Sequence, residues 1–125
     1  MKTLPLFSTC IAASLLGIAS AASASDFVRV PANYVYKPSL GSLHDYCTSS
    51  PDEFPNPVGK NADFRGPCAR HDLCYGSRTD KKHCDVRLLK DMRANCEHAY
   101  GRFNPVRQSC YATAGAYFAA VVAAF

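Results

Sequence analysis

The chain has 125 residues, with 14 Lys and Arg against 10 Asp and Glu for a net charge of +4, 48% hydrophobic residues and 7 cysteines. That length bounds it to one domain with a modest core. The charge excess is small and unclustered, which argues against a nucleic-acid binder, where a basic stripe is expected, and leaves room for weak attraction to an anionic lipid surface.

Taken in chain order, residues 1–24 read as a secretory signal. Lys2 gives a positive start, Leu4 to Ala19 is apolar, and Ala22-Ser23-Ala24 offers the small residues of a cleavage site. Cleavage after Ala24 leaves a secreted domain at 25–125 and removes Cys10. The remaining cysteines, Cys47, Cys68, Cys74, Cys84, Cys96 and Cys110, are even in number, which in a short exported chain reads as a disulfide framework. Spacing alone leaves the pairing open.

Residues 25–46, with Pro31, Pro38 and Gly41, read as an irregular arm with room for a short helix before Cys47. Residues 48–66 carry Pro51, Pro55, Pro57, Gly59 and Gly66 among polar residues and are expected to be loop. A helix is predicted from Pro67 at its first position to about Gly76. A charged turn follows at 77–82, in which Lys81 and Lys82, like Arg70 and Arg78 nearby, are read as solvated. A second helix is expected over His83 to Ala99, where Leu88, Leu89, Met92 and Cys96 share one face with Asp85. A third starts after Asn104 and Pro105 and runs through Cys110, Ala114, Tyr117 and Val121. Its apolar end, Tyr117 to Phe125, is too short to cross a bilayer and is read as buried core. The expected fold is therefore all-α: a small disulfide-stapled domain with two antiparallel helices holding the site and a third packed behind them.

The chemistry concentrates in Cys68-Ala69-Arg70-His71-Asp72-Leu73-Cys74-Tyr75. On a helix, His71 and Asp72 project about 100° apart, so they serve different neighbours around one site. Asp85 on an apolar face is costly to bury unless paired, and His71 is its candidate partner if the two helices pack. A Cys74–Cys84 bridge would bring them together. A histidine held by a carboxylate on one ring nitrogen is a general base for water through the other. If Cys47 bonds to Cys68, the segment His44-Asp45-Tyr46 is drawn toward Asp72. Two carboxylates and local carbonyls then supply hard oxygens suited to calcium. The spacing of His44, His83 and His98 matches no compact zinc pattern.

Cys-x-x-His-Asp-x-Cys-Tyr at 68–75, followed by Cys84-Asp85, resembles the secreted phospholipases A2, and Asp45-Tyr46-Cys47-Thr48 with Pro51-Asp52 resembles their bacterial and fungal branch. The likeness runs from about Asp45 to Cys110. It implies a calcium-dependent enzyme that hydrolyses the sn-2 acyl ester of glycerophospholipids at a membrane or micelle surface. His71 would then activate water, Asp85 would orient His71, and Tyr75 would bond the orienting aspartate. Calcium would sit on Asp72, Asp45 and the Tyr46 carbonyl. The resemblance also implies the Cys74–Cys84 bridge; Cys47–Cys68 and Cys96–Cys110 complete the expected framework of a monomeric domain that takes phospholipid and not nucleic acid. Three departures stand out. The glycine-rich calcium loop of the animal enzymes is absent, Pro67 occupies the place of their second consecutive cysteine, and Cys74 stands where bacterial relatives often have glycine. A catalytically dead lipid-binding relative and a stapled effector are the rival readings; the first usually loses one of the key residue types, and the second needs no acid on an apolar face.

Overall fold

The computed structural model describes residues 26–124, so the expected signal at 1–24 lies outside the described residues. Among them, three helices carry the fold: α1 (Arg65–Gly76), α2 (Lys81–Ala99) and α3 (Val106–Ala124). A single 3-10 turn, Pro38–Leu40, interrupts the arm before Cys47. The domain is all-α and disulfide-stapled, as expected.

The stretch expected to be loop at 48–66 contains a small hairpin. Strands β1 (Glu53–Phe54) and β2 (Ala62–Asp63) pair antiparallel, Glu53 opposite Asp63 and Phe54 opposite Ala62. Strands of two residues are too short to show alternation. Asparagine side chains close the turn instead: Asn56 N–H donates to Asn61 Oδ1 at 2.7 Å and Asn56 Nδ2 to the Lys60 carbonyl at 3.2 Å.

Helix α1 begins two residues earlier than the proline signal suggested, because Asp63 supplies the start. Its carboxylate accepts from the Arg65 backbone N–H at 2.9 Å and from the Arg65 guanidinium at 3.0 and 2.8 Å, placing negative charge at the helix N-terminus. Pro67 then sits in the first turn, where a missing N–H costs nothing. Gly66 is demanded by the arm: a Cβ there would lie 2.1 Å from the Val28 carbonyl oxygen. Helix α2 also starts two residues earlier than expected, because the Asp80 side chain caps it by accepting from His83 N–H. At α3, Asn104 Oδ1 accepts from Val106 N–H at 2.9 Å.

Disulfides join Cys47–Cys68, Cys74–Cys84 and Cys96–Cys110. The second links the end of α1 to the start of α2, and the third links the end of α2 to the start of α3, so consecutive helices run antiparallel. Phe64 and Met92 are fully buried between them beside Leu88, Cys96, Cys110 and Ala114; each large side chain contributes about 2–3 kcal/mol of apolar burial. Asn95, buried on α2, clamps the arm: its Oδ1 accepts from Val28 N–H at 2.7 Å, and its Nδ2 donates to the carbonyls of Val28 and Asp63 at 3.1 and 2.7 Å.

The end of α3 is not buried core. Along this helix only Cys110 and Ala114 are buried; Tyr117, Phe118 and Val121 are half-buried and Ala119, Ala120 and Val122 to Ala124 are exposed. The apolar residues are there because this stretch walls a cleft rather than filling a core. No helix among the described residues is long and apolar enough to cross a membrane.

Candidate active site

Helices α1 and α2 bring His71 and Asp85 together across their interface. His71 Nε2 lies 2.8 Å from Asp85 Oδ1, with the two residues 8% and 1% exposed. Because a carboxylate only accepts, Nε2 is the protonated ring nitrogen and Nδ1 carries the lone pair. The Tyr75 hydroxyl, one turn beyond His71, donates to the same Oδ1, and its ring packs 4.2 Å from the imidazole.

The second carboxylate oxygen is taken by a residue that sequence reasoning left in solvent. Lys81 Nζ donates to Asp85 Oδ2 at 2.7 Å, so the reading of Lys81 as solvated is corrected. A spacing of four residues between opposite charges on a helix was the signal available for it. Burial works to raise the Asp85 carboxyl, but the bonds from Lys81, Tyr75 and His71 and the Lys81 charge outweigh it and hold the group below the ordinary carboxylate range. Arg70 is likewise not free in solvent: its guanidinium lies 3.3 Å from Asp91 Oδ1.

Asp72 points into a different environment, 6% exposed, and its carboxyl is pushed up to about 7. Burial is the main cause; the nearby Asp45 adds to it, while the Tyr34 hydrogen bond and His44 work against it. Cys68 stands one turn before Asp72 on the same face, and its bridge to Cys47 pulls the 44–46 segment against that face. Tyr34, from the arm, joins the two sides. Its hydroxyl donates to Asp72 Oδ2 at 2.6 Å and accepts from the Tyr46 backbone N–H at 3.0 Å, and its ring stacks on Tyr46 at 5.5 Å. Tyr46 adopts a left-handed backbone, φ 57°. Asp45 accepts from the Thr48 hydroxyl at 2.6 Å. No sequence signal marked Tyr34, which lies 38 positions from its partner.

The Asp72 carboxyl, raised by burial and by the nearby Asp45, is a group that a cation would relieve. Among the described residues no group of three or more His, Cys, Asp and Glu side chains is assembled for a metal. Asp72 and the nearby Asp45 offer oxygen donors, the chemistry that suits calcium. The residues fit such an ion.

Beside these groups opens a cleft of about 670 Å³, lined by His71 and Asp72 at one side and by apolar side chains that include Leu43, Tyr117, Ala120 and Val121. Tyr117 is fixed by its hydroxyl, which donates to the Pro51 carbonyl at 2.6 Å, and by edge-on packing against Phe64 at 5.4 Å. A lining that combines His71 and Asp72 with apolar side chains fits a molecule with a reactive head and a hydrocarbon tail.

A family model described as Prokaryotic phospholipase A2 matches residues 18–125. No curated protein and no solved structure was found to match the chain.

Proposed function

We propose a mechanism from one premise: the chain belongs to the prokaryotic phospholipase A2 family. It is a phospholipase A2, an enzyme that hydrolyses phospholipids; the finer proposal is that it cleaves the sn-2 acyl ester and depends on calcium. The observation that carries this reading is the buried His71–Asp85 bond at the head of an apolar cleft beside Asp72.

His71 Nδ1 takes a proton from a water molecule in the cleft, whose oxygen attacks the ester carbonyl carbon. Asp85 keeps the imidazole in the tautomer that can accept that proton and stabilises the imidazolium that forms. His71 then returns the proton to the glycerol oxygen as the ester bond breaks, releasing fatty acid and lysophospholipid. Tyr75 and Lys81 hold Asp85 charged and in place. Calcium, held by Asp72, Asp45 and the Tyr46 carbonyl, would polarise the ester carbonyl and offset the charge developing on its oxygen. The cleft wall of Leu43, Tyr117, Ala120 and Val121 receives the acyl chain and excludes water around it. Export by the signal at 1–24 accords with three disulfides, which persist in oxidising surroundings.

The test is product analysis on a phosphatidylcholine labelled separately in each acyl chain and presented in mixed micelles. Label is expected from the sn-2 chain alone, only while calcium is present, and not from His71→Asn with an unchanged circular dichroism spectrum. Full hydrolysis in excess chelator would remove the metal from the mechanism, and an active His71→Asn would remove the base.

A further inference from the structure

Lys81 does more than pair with Asp85. Its ammonium also donates to the backbone carbonyls of Val121 at 3.1 Å and Val122 at 3.5 Å. Both lie in the last turn of α3, where carbonyls run out of helical donors and a positive charge is favourable. A lysine ammonium has three donors on a compact head, enough for one carboxylate oxygen and two carbonyls.

We propose that Lys81 is a positioning residue that ties the acyl-chain wall of the cleft to the carboxylate orienting His71, so that seating of the chain and alignment of the histidine are coupled. This rests on the roles given above to His71 and Asp85. The two oxygens of Asp85 are held from different sides: Oδ1 by His71 and Tyr75, Oδ2 by Lys81. Lys81 therefore sets the rotation of the carboxylate, and with it the direction in which the imidazole is held. On its other side the same ammonium grips the turn whose Val121 side chain, with Ala120 and Ala124, walls the cleft. A hydrocarbon chain in the cleft presses on this turn. The push passes through two backbone oxygens and one ammonium to the buried acid. Coupling of this kind is reciprocal: aligning Asp85 steadies the wall as much as a filled cleft steadies Asp85.

Lys81→Met keeps an unbranched stem and removes its donors; Lys81→Arg restores charge and donors. Both are assayed on phosphatidylcholines with short (butanoyl) and long (hexadecanoyl) chains, beside wild type and His71→Asn. In Lys81→Met, kcat is expected to fall roughly tenfold or more on both substrates, as for a misaligned catalytic group. KM is expected to rise for the long-chain substrate only, and Lys81→Arg to recover most of both losses. Unchanged kinetics in Lys81→Met, or a loss identical for both chain lengths in kcat and KM, would overturn the coupling. If Lys81→Met melts too low to assay, Lys81→Gln is read by the same two comparisons. Loss of activity in His71→Asn with none in Lys81→Met overturns the link alone, whereas activity in His71→Asn overturns the assignment of the base and the link with it.

Discussion

Gly66→Ala tests how the arm is held against the site. The added Cβ would stand 2.1 Å from the Val28 oxygen and 2.8 Å from the Val28 and Arg29 carbonyl carbons. All three are backbone atoms and cannot swing aside, so the arm must retreat by about 1 Å to reach ordinary contact. That shift takes the Asn95 bonds to Val28, 2.7 and 3.1 Å in the native fold, to the edge of hydrogen-bonding range or beyond. Two such bonds contribute about 1 kcal/mol each, and a buried amide left short of partners costs about 1 kcal/mol more. The gain from alanine over glycine in a helix offsets up to about 1 kcal/mol. The net destabilisation is about 2 kcal/mol, a fall in Tm of roughly 10 °C for a domain of this size. Thermal melts of Gly66→Ala, Asn95→Ala and the double variant supply the check. The double variant should lose less than the sum of the singles, because both act on the same clamp. A Gly66→Ala protein as stable as wild type, or strict additivity, would refute the reasoning.

Asp85→Asn should lower kcat by roughly 10²–10⁴-fold with calcium affinity unchanged, because an amide does not enforce the imidazole tautomer; equal turnover would break the His71–Asp85 argument. Tyr34→Phe, which removes the hydroxyl linking Asp72 to the Tyr46 backbone, should weaken calcium binding about tenfold, read by calorimetric titration of calcium without lipid; an unchanged Kd would count against the site. Asp91 gives a pH test. Burial lifts its carboxyl to about 6 despite Arg87 and Lys90 on its own helix and the Arg70 guanidinium facing it from α1, and its Oδ2 has no partner among the described residues. The native pKa exceeds the unfolded one, so ionising Asp91 costs stability: the penalty is absent below the ordinary carboxylate range and complete above about 6. Asp91→Asn should therefore gain on wild type between pH 4 and pH 7, by on the order of 1 kcal/mol after screening; parallel melting curves across that range would sink the idea.

The helices were legible because each carries its own punctuation: Gly66-Pro67 in the first turn of one, a shared face of Leu88, Met92 and Cys96 along the next, Asn104-Pro105 before the last. The start of α1 was misjudged because its initiating group, Asp63, lies outside the helix and acts through Arg65. Proximity of His71 and Asp85 could be argued because an acid on an apolar face needs a partner and Cys74 and Cys84 flank the pair. Tyr34 and Asn95 could not be found. Both act on residues distant in the chain through hydrogen bonds to backbone or carboxylate, and neither side chain breaks a local pattern. The end of α3 misled in another way: valine and alanine look the same whether they face a core or a lipid-sized trough.

The grip of Lys81 on α3 has a consequence for variation. It holds main-chain oxygens, which every amino acid possesses, and the disulfide that ties α3 to α2 leaves the helix at Cys110, about three turns away. Side chains at 120, 121 and 124 can therefore be exchanged for larger or smaller ones while the anchoring survives. The depth of the trough can thus be reset through its side chains while the main-chain link from its wall to Asp85 is kept, so a lineage could retune which fatty acids it releases and still retain that coupling.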